Sequence, residues 1–315
     1  MNIVALLHYS PIRNRAGGEL FMHALLATLA QQPSTTVTAY VTHYKDKHTV
    51  EVLDGVTYHY GGFEAMQFSS PDVIISHLNH ADLCLTLSNQ KEVPFIYLCH
   101  NERPQSLTTA QNMGKKDLIV YNTAWVAKAV GVAGMVCYPP VQALHKLSTG
   151  NLITFINLIE LKGVDYTYQI VKALPQYQFL GVKGGYYKDE QDIRQYPNLT
   201  IIDNTSDIVN DVYMRTKLLI QPSRYETYGM VQAEAIQMGI PCIVSPTAGL
   251  KENLGDAGIY IANTAIDLWV QQITMLMEDP IYYAGWRSAS VKRGRQKQTN
   301  TDLNLAINAI LDKVK

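Results

Sequence analysis

Cysteines, charges and long apolar runs are all scarce in this 315-residue chain, and each scarcity excludes a class of protein. Its four cysteines, Cys84, Cys99, Cys137 and Cys242, lie far apart and mostly within apolar runs. No CxxC or CxxH pair offers the spacing of a zinc site or a redox dithiol. They read as reduced, buried, structural thiols, which fits a cytoplasmic protein. Charged residues make up 17% and the net charge is −1, so no global field points to nucleic acid or an anionic membrane. No stretch approaches the ~20 apolar residues of a membrane span. The N-terminal MNIVALLHYS lacks the basic start of a signal peptide and reads as a first strand. No G-x-G-x-x-G fingerprint and no P-loop lysine is present, so NAD and ATP chemistry lose their usual phosphate loops. Histidine is missing from the second half: all nine (8, 23, 43, 48, 59, 77, 80, 100, 145) precede it. Grouped there, they fit hydroxyl recognition or proton handling as well as ordinary surface exposure.

What is present is apolar residue in quantity, 47%, ample for two cores. A single core stops growing near roughly 250–300 residues, so two domains are expected. Strand-like runs alternate with helical patterns: NIVALLHYS, TVTAYVT, PDVIISHL, PFIYLCHN and DLIVYNT in the first half, LITFINL, QYQFLGV, NLTIID, KLLIQPS, PCIVSP and GIYIA in the second. Near-continuous apolar strands of this kind belong to parallel sheets covered on both faces. VLDGVTYHYGG reads as short β structure, and helices are expected near 163–174 and 207–216. Two prolines and the polar STGN mark a linker at about 139–150. The expected division is 1–143, 150–280, and a helical tail, 281–315.

The stretch PSRYETYGMVQAEAIQMGIPCIVSPTAG (222–249) carries the chemistry. It reads as strand end, turn, helix and strand, with Glu226 just before the helix and Glu234 eight positions on, in its second turn. The helix start leaves the amides of Tyr228, Gly229 and Met230 without intrahelical partners, and such amides favour an anion. A diphosphate held by amides, with carboxylates for sugar hydroxyls, fits this layout.

The E-x7-E spacing, the glycine after the first Glu and the G-I-P after the second closely resemble the donor-site signature of retaining GT4-type glycosyltransferases. The resemblance continues in GLKENLGDAGIYI (249–261), in ELKGVDYTYQIVKALP (160–175) and, weakly, in AGGE (16–19). It implies a GT-B fold: an α/β protein with two Rossmann-like domains facing across a cleft. The first domain would take the acceptor and the second the nucleotide sugar, with C-terminal helices packing back on the first. It also implies transfer of a hexose from a UDP- or GDP-sugar to an acceptor hydroxyl, without a bound cofactor or metal. Glu234 would take the ribose hydroxyls, Glu226 the transferred sugar, and Lys162 the diphosphate. Relatives often carry an Arg five residues before that lysine, where this chain has Asn157. Lys183 and Arg224, both following strands, are candidate replacements for the charge. Gly17 and Gly18 would let the first helix approach the diphosphate or acceptor. His100, at a strand end, would approach the transferred sugar, and His77, His80, Asn101 and Asn122 end strands nearby. The basic run VKRGRQK (291–297) is a solvated helix end or an anion-binding patch. Glycan, small molecule, protein and DNA all stay open as acceptors. An epimerase, a hydrolase and a non-catalytic sugar-nucleotide module are the competing readings.

Overall fold

The computed structural model describes residues 1–43, 49–61, 64–141, 144, 146–185, 190–298 and 301–314. The chain divides into two compact units, Met1–Pro140 with Asn300–Lys315, and Val141–Thr299.

The first unit is built on β1 (Asn2–Leu7), β2 (Thr36–Val41), β3 (Thr49–Leu53), β4 (Val56–Tyr60), β5 (Val73–His77), β6 (Phe95–Cys99), β7 (Leu118–Tyr121) and β8 (Met135–Val136). They form one sheet in the order β3-β4-β2-β1-β5-β6-β7-β8, parallel except where β3 runs back along β4. Helices α1 (Gly17–Ala30), α2 (Ala65–Phe68), α3 (Ala81–Lys91), α4 (Pro104–Gln111) and α5 (Ala124–Val130) connect the strands. Every residue of β5 and β6 is buried, as strands covered on both faces must be. Alternation sends Ile3, Ala5 and Leu7 against Phe21, Leu25 and Leu29 of α1, while Val4 and Leu6 join the opposite core with Cys84 and Tyr97.

The second unit repeats the plan. Strands β9 (Leu152–Ile156), β10 (Phe179–Val182), β11 (Leu199–Ile202), β12 (Thr216–Gln221), β13 (Cys242–Val244) and β14 (Gly258–Tyr260) form an all-parallel sheet in the order β11-β10-β9-β12-β13-β14. Around it lie α6 (Val164–Ala173), α7 (Ile208–Asp211), α8 (Met230–Gln237), α9 (Ala248–Leu254), α10 (Ile266–Glu278) and α11 (Pro280–Gln298). The helix expected near 207–216 is reduced to the single turn of α7 and a 3-10 turn at Tyr213–Arg215. Asn210, Asp211 and the β-branched Val209 and Val212 are weak helix formers, and Thr216 already belongs to β12. Of the tail, α11 stays with the second unit. Helix α12 (Asp302–Val314) buries Ala306, Ile307 and Ile310 in the core of the first unit, together with Leu25 and Leu29.

Strand order reverses once in each sheet. β1 has β2 on one side and β5 on the other, and β9 lies between β10 and β12. In open parallel sheets, ligands bind outside the carboxyl ends at such a reversal. All four cysteines are buried and unpaired. Among the described residues, no helix is long and apolar enough to cross a membrane.

Candidate functional site

In the second unit, the loops leaving β9 and β12 meet at the reversal point. β9 ends at Ile156, and Asn157 turns the chain with φ +72°. That left-handed conformation costs most residues roughly 1–2 kcal/mol, and asparagine is among the few that tolerate it. The Gln191 carboxamide closes the corner. Its Oε1 accepts from the amides of Leu158 (2.9 Å) and Gly184 (3.0 Å), and its Nε2 donates to Asn157 Oδ1 (3.3 Å). A neutral amide network thus fills this corner.

The chain then makes a 3-10 turn at Glu160–Lys162 and starts α6 through Gly163, φ +74°. A Cβ on Gly163 would lie 1.9 Å from the Pro222 carbonyl oxygen, so only glycine lets the two loops touch. Three contacts staple them: Gln221 Nε2 donates to Lys162 O (3.0 Å), Arg224 N to Leu161 O (3.0 Å), and Arg224 Nη1 to Glu160 O (2.6 Å). The same guanidinium takes Asp165 in a two-pronged ion pair at 2.7 and 2.8 Å and lies over the Tyr166 ring. That pair holds the Asp165 carboxyl below its usual range. Arg224 therefore acts as a brace between the loops, with its charge already matched.

This brace sets Lys162 Nζ 2.5 Å from Glu226 Oε2, with the two side chains only 20% and 15% exposed. The other oxygen, Glu226 Oε1, accepts from Thr227 N at 3.1 Å. Gly229 follows with φ +89°, and α8 begins at Met230. Asn253 Nδ2 reaches across from α9 to the carbonyls of Tyr228 (2.8 Å) and Gly229 (2.7 Å) and fixes the loop ahead of the helix. Lys297 closes it from α11: its Nζ lies 3.2 Å from the Tyr228 hydroxyl and 4.9 Å from the ring centre. Burial, then Arg293, pushes that ammonium down to about 7. Arg293 itself donates to the carbonyls of Asn253 (2.9 Å) and Glu252 (2.8 Å), capping the end of α9. Within the basic run, Arg293 and Lys297 thus brace the unit's interior rather than forming a solvated patch.

Glu234 lies on α8, where the Tyr213 hydroxyl donates to its Oε2. Tyr213 is fully buried, and burial together with the Glu234 charge raises its phenol well above the usual range. Lys183, at the end of β10, pairs with the exposed Asp203 at 2.7 Å.

The second unit thus brings Lys162 against Glu226 in the loop that leads through Tyr228 and Gly229 to Met230, with Asn157 and Arg224 in the supporting turns, while Glu234 stands further along α8 with Tyr213 as its partner. Gly17, Gly18 and His100 belong to the first unit. Gly17 and Gly18 open α1 with no side-chain cap from Ala16. His100 Nε2 is 3.0 Å from His77 Nδ1, and Asn122 Nδ2 donates to the His100 carbonyl (3.2 Å). Burial lowers the His100 imidazole to about 4. Asn101 Oδ1 accepts from Arg103 N (3.1 Å) and Ser106 Oγ (2.8 Å) and serves the start of α4. His48 and His145 lie outside the described residues. Sequence reasoning missed Tyr213, Gln191, Asn253 and Lys297. Of these, only Asn253 and Lys297 fell within motifs already singled out.

Comparison with known proteins bears on the family and the fold. Residues 150–279 match the family of glycosyl transferases group 1. O-antigen chain mannosyltransferase B from Escherichia coli is 29% identical over 83 residues, a stretch that takes in 26% of this chain and 21% of that protein's length. Sucrose-phosphate synthase from Thermosynechococcus elongatus superposes with TM-score 0.78 at 14% identity, over 100% of this chain and 99% of its own. Anabaena HepE, in complex with UDP and glucose, superposes with TM-score 0.78 at 17% identity, over 99% of both chains. The second unit is therefore a group 1 glycosyl transferase domain, in a chain with the GT-B fold.

Proposed function

We propose that the chain is a retaining hexosyltransferase that takes its sugar from a nucleoside diphosphate donor, with UDP-sugars first among the candidates, and delivers it to an acceptor hydroxyl. The observation that carries this reading is the Lys162–Glu226 pair, 2.5 Å apart at the reversal point of the second sheet and beside the start of α8. One cation and one carboxylate are held together there, and the second oxygen of Glu226 accepts from the Thr227 amide. A diphosphate takes the ammonium and the α8 amides, and the sugar hydroxyls take Glu226. Glu234, oriented by Tyr213, takes the vicinal diol of the ribose.

In the transfer step the anomeric carbon–phosphate oxygen bond breaks and the bond from the acceptor oxygen forms on the same face. The acceptor proton passes to the departing phosphate oxygen. Lys162 and the amides stabilise the charge that develops there, and Glu226 favours the positive charge on the sugar ring. Neither Asn157 nor the ion-paired Arg224 adds to that stabilisation. His100, in the first unit, is the proposed contact of the transferred sugar on the acceptor side. HepE lends support to UDP as the nucleotide, and the mannosyltransferase relative to a hexose.

The test is a donor screen with UDP-hexoses and GDP-mannose against mixed acceptors, reading nucleotide release and the anomeric proton of the product by NMR. Transfer with inversion would refute retention. Release without transfer would favour a hydrolase, and isomerised donor an epimerase.

A further inference from the structure

The basic run VKRGRQK (291–297) forms the last turns of α11, and two of its cations, Arg293 and Lys297, reach into the second unit. Helix α11 lies on α8 at close range. A Cβ on Gly294 would stand 2.7 Å from Gln237 Cα and 2.9 Å from its amide nitrogen, so only glycine lets the two helices touch there. Lys297, about one turn further along, extends to the loop ahead of α8.

From α11 this loop is gripped at two levels. Arg293 holds the end of α9 through the carbonyls of Asn253 and Glu252. Asn253 Nδ2 in turn takes the carbonyls of Tyr228 and Gly229. In a trans peptide the N–H points opposite to the C=O, so these two bonds aim the amides of Gly229 and Met230 away from α9. The start of α9 presses on the same loop, since a Cβ on Gly249 would lie 2.3 Å from Thr227 O. Lys297 completes the grip through the side chain of the buried Tyr228, with its ammonium 3.2 Å from the hydroxyl and 4.9 Å from the ring centre.

Packing alone does not ask for a charge at this place. Burying an ammonium costs desolvation, and methionine would cover the ring without that cost. What the ammonium adds is attraction to the ring face and a positive charge behind amides that already favour an anion. Burial first, then Arg293 on the same helix, brings Lys297 down to about 7, while Glu252 at the end of α9 pulls the other way. Other charged groups on the elements packed against α11 have their own partners: Glu234 of α8 takes Tyr213, Glu278 of α10 takes Tyr177, and Asp256, in the turn after α9, acts on Tyr260.

We infer that Lys297 is a positioning residue of the donor site: through the Tyr228 ring it holds the loop whose amides receive the diphosphate, and its charged form favours the loaded site. The inference rests on the donor reading for its purpose, and its test keeps the two apart.

Hydrogen exchange of segment 225–231, read by mass spectrometry on the full chain without ligand, reports on the loop itself. Lys297→Met keeps the stem without the charge, and Lys297→Arg keeps a cation. At pH 6, Lys297→Met should exchange about fivefold faster than wild type, and Lys297→Arg should match wild type within about twofold. Variants are compared at equal pH, because intrinsic exchange rises with pH. At pH 8.5 the wild-type amine is neutral, so wild type should approach Lys297→Met while Lys297→Arg stays protected. Calorimetry with UDP-glucose, whose doubly esterified diphosphate does not titrate in this range, should show wild-type affinity falling about fivefold from pH 6 to 8.5, with Lys297→Arg level. Thermal melts check folding, and if Lys297→Met unfolds, the pH comparison of wild type with Lys297→Arg carries the test alone. A loop in Lys297→Met as protected as in wild type at pH 6, wild type and Lys297→Arg with the same pH dependence, or a loosened loop with unchanged UDP-glucose affinity would each overturn the inference. Wild type that binds neither UDP nor UDP-glucose would instead sink the donor reading, and loop exchange would still decide whether Lys297 holds the loop.

Discussion

Replacing Glu226 by Gln should tighten binding of bare UDP while lowering turnover. Lys162 Nζ is held by Glu226 at 2.5 Å. UDP must draw the ammonium away, and without a sugar nothing compensates the carboxylate left behind. Exposed ion pairs are worth about 0.2–1 kcal/mol, and buried ones broken on one side cost about 3–5. With side-chain exposures of 20% and 15%, this pair lies between, at about 1–2 kcal/mol. Glu226→Gln removes that cost and should tighten UDP by roughly five- to thirtyfold, since about 1.4 kcal/mol is a factor of ten. With UDP-glucose the gain should vanish, because sugar hydroxyls compensate Glu226 in the wild type. Turnover should fall by about two orders of magnitude, the usual effect of losing one preorganised electrostatic contact. Calorimetry with both ligands and steady-state kinetics read the two signs separately. Weaker UDP binding by Glu226→Gln, or an unchanged kcat, would refute the reasoning.

Other expectations follow from the same geometry. Tyr213→Phe removes the hydroxyl that orients Glu234 and should raise the donor Kd about five- to tenfold with little change in kcat, because ribose contacts are alike in ground and transition states. Asn157→Arg should bring no gain in UDP affinity and should lower stability by roughly 1–2 kcal/mol, read by titration and thermal melts, since arginine has no ease at φ +72°. Acid should destabilise the first unit. The unfolded chain protonates its imidazoles near ~6.5, whereas His100 resists until about 4. The native state binds fewer protons in that window, so stability is lost as pH falls from about 6.5 to 4, by up to about 3 kcal/mol for His100. Melts of wild type and His100→Asn across this range should show the variant with the shallower slope.

The strands were readable because each parallel strand is an apolar run bounded by turns, and the E-x7-E segment because its spacing is local. What tied these pieces together was not local. Lys162 and Glu226 are 64 positions apart, and Arg224 finds Asp165 across 59. Arg224 looked like a replacement cation because nothing in PSRYE reveals that Asp165 already holds it. Asn157 looked like a missing arginine, while the backbone shows a left-handed corner that suits asparagine. Lys297 was read as part of a charged helix end, since helical periodicity does not say which face meets Tyr228. The clustering of histidines was visible as a bias along the chain. Only strand order shows that residues 8, 43, 77, 80 and 100 stand on one edge.

Calorimetric titration of wild type and Lys162→Ala with UDP in the presence of a chelator tests the central claim most directly. Saturable binding by the wild type, weakened at least tenfold in a folded Lys162→Ala, is the expected result. Folded wild type that binds neither UDP nor GDP, or a Lys162→Ala that binds UDP equally well, would contradict the assignment of this site to a nucleoside diphosphate donor.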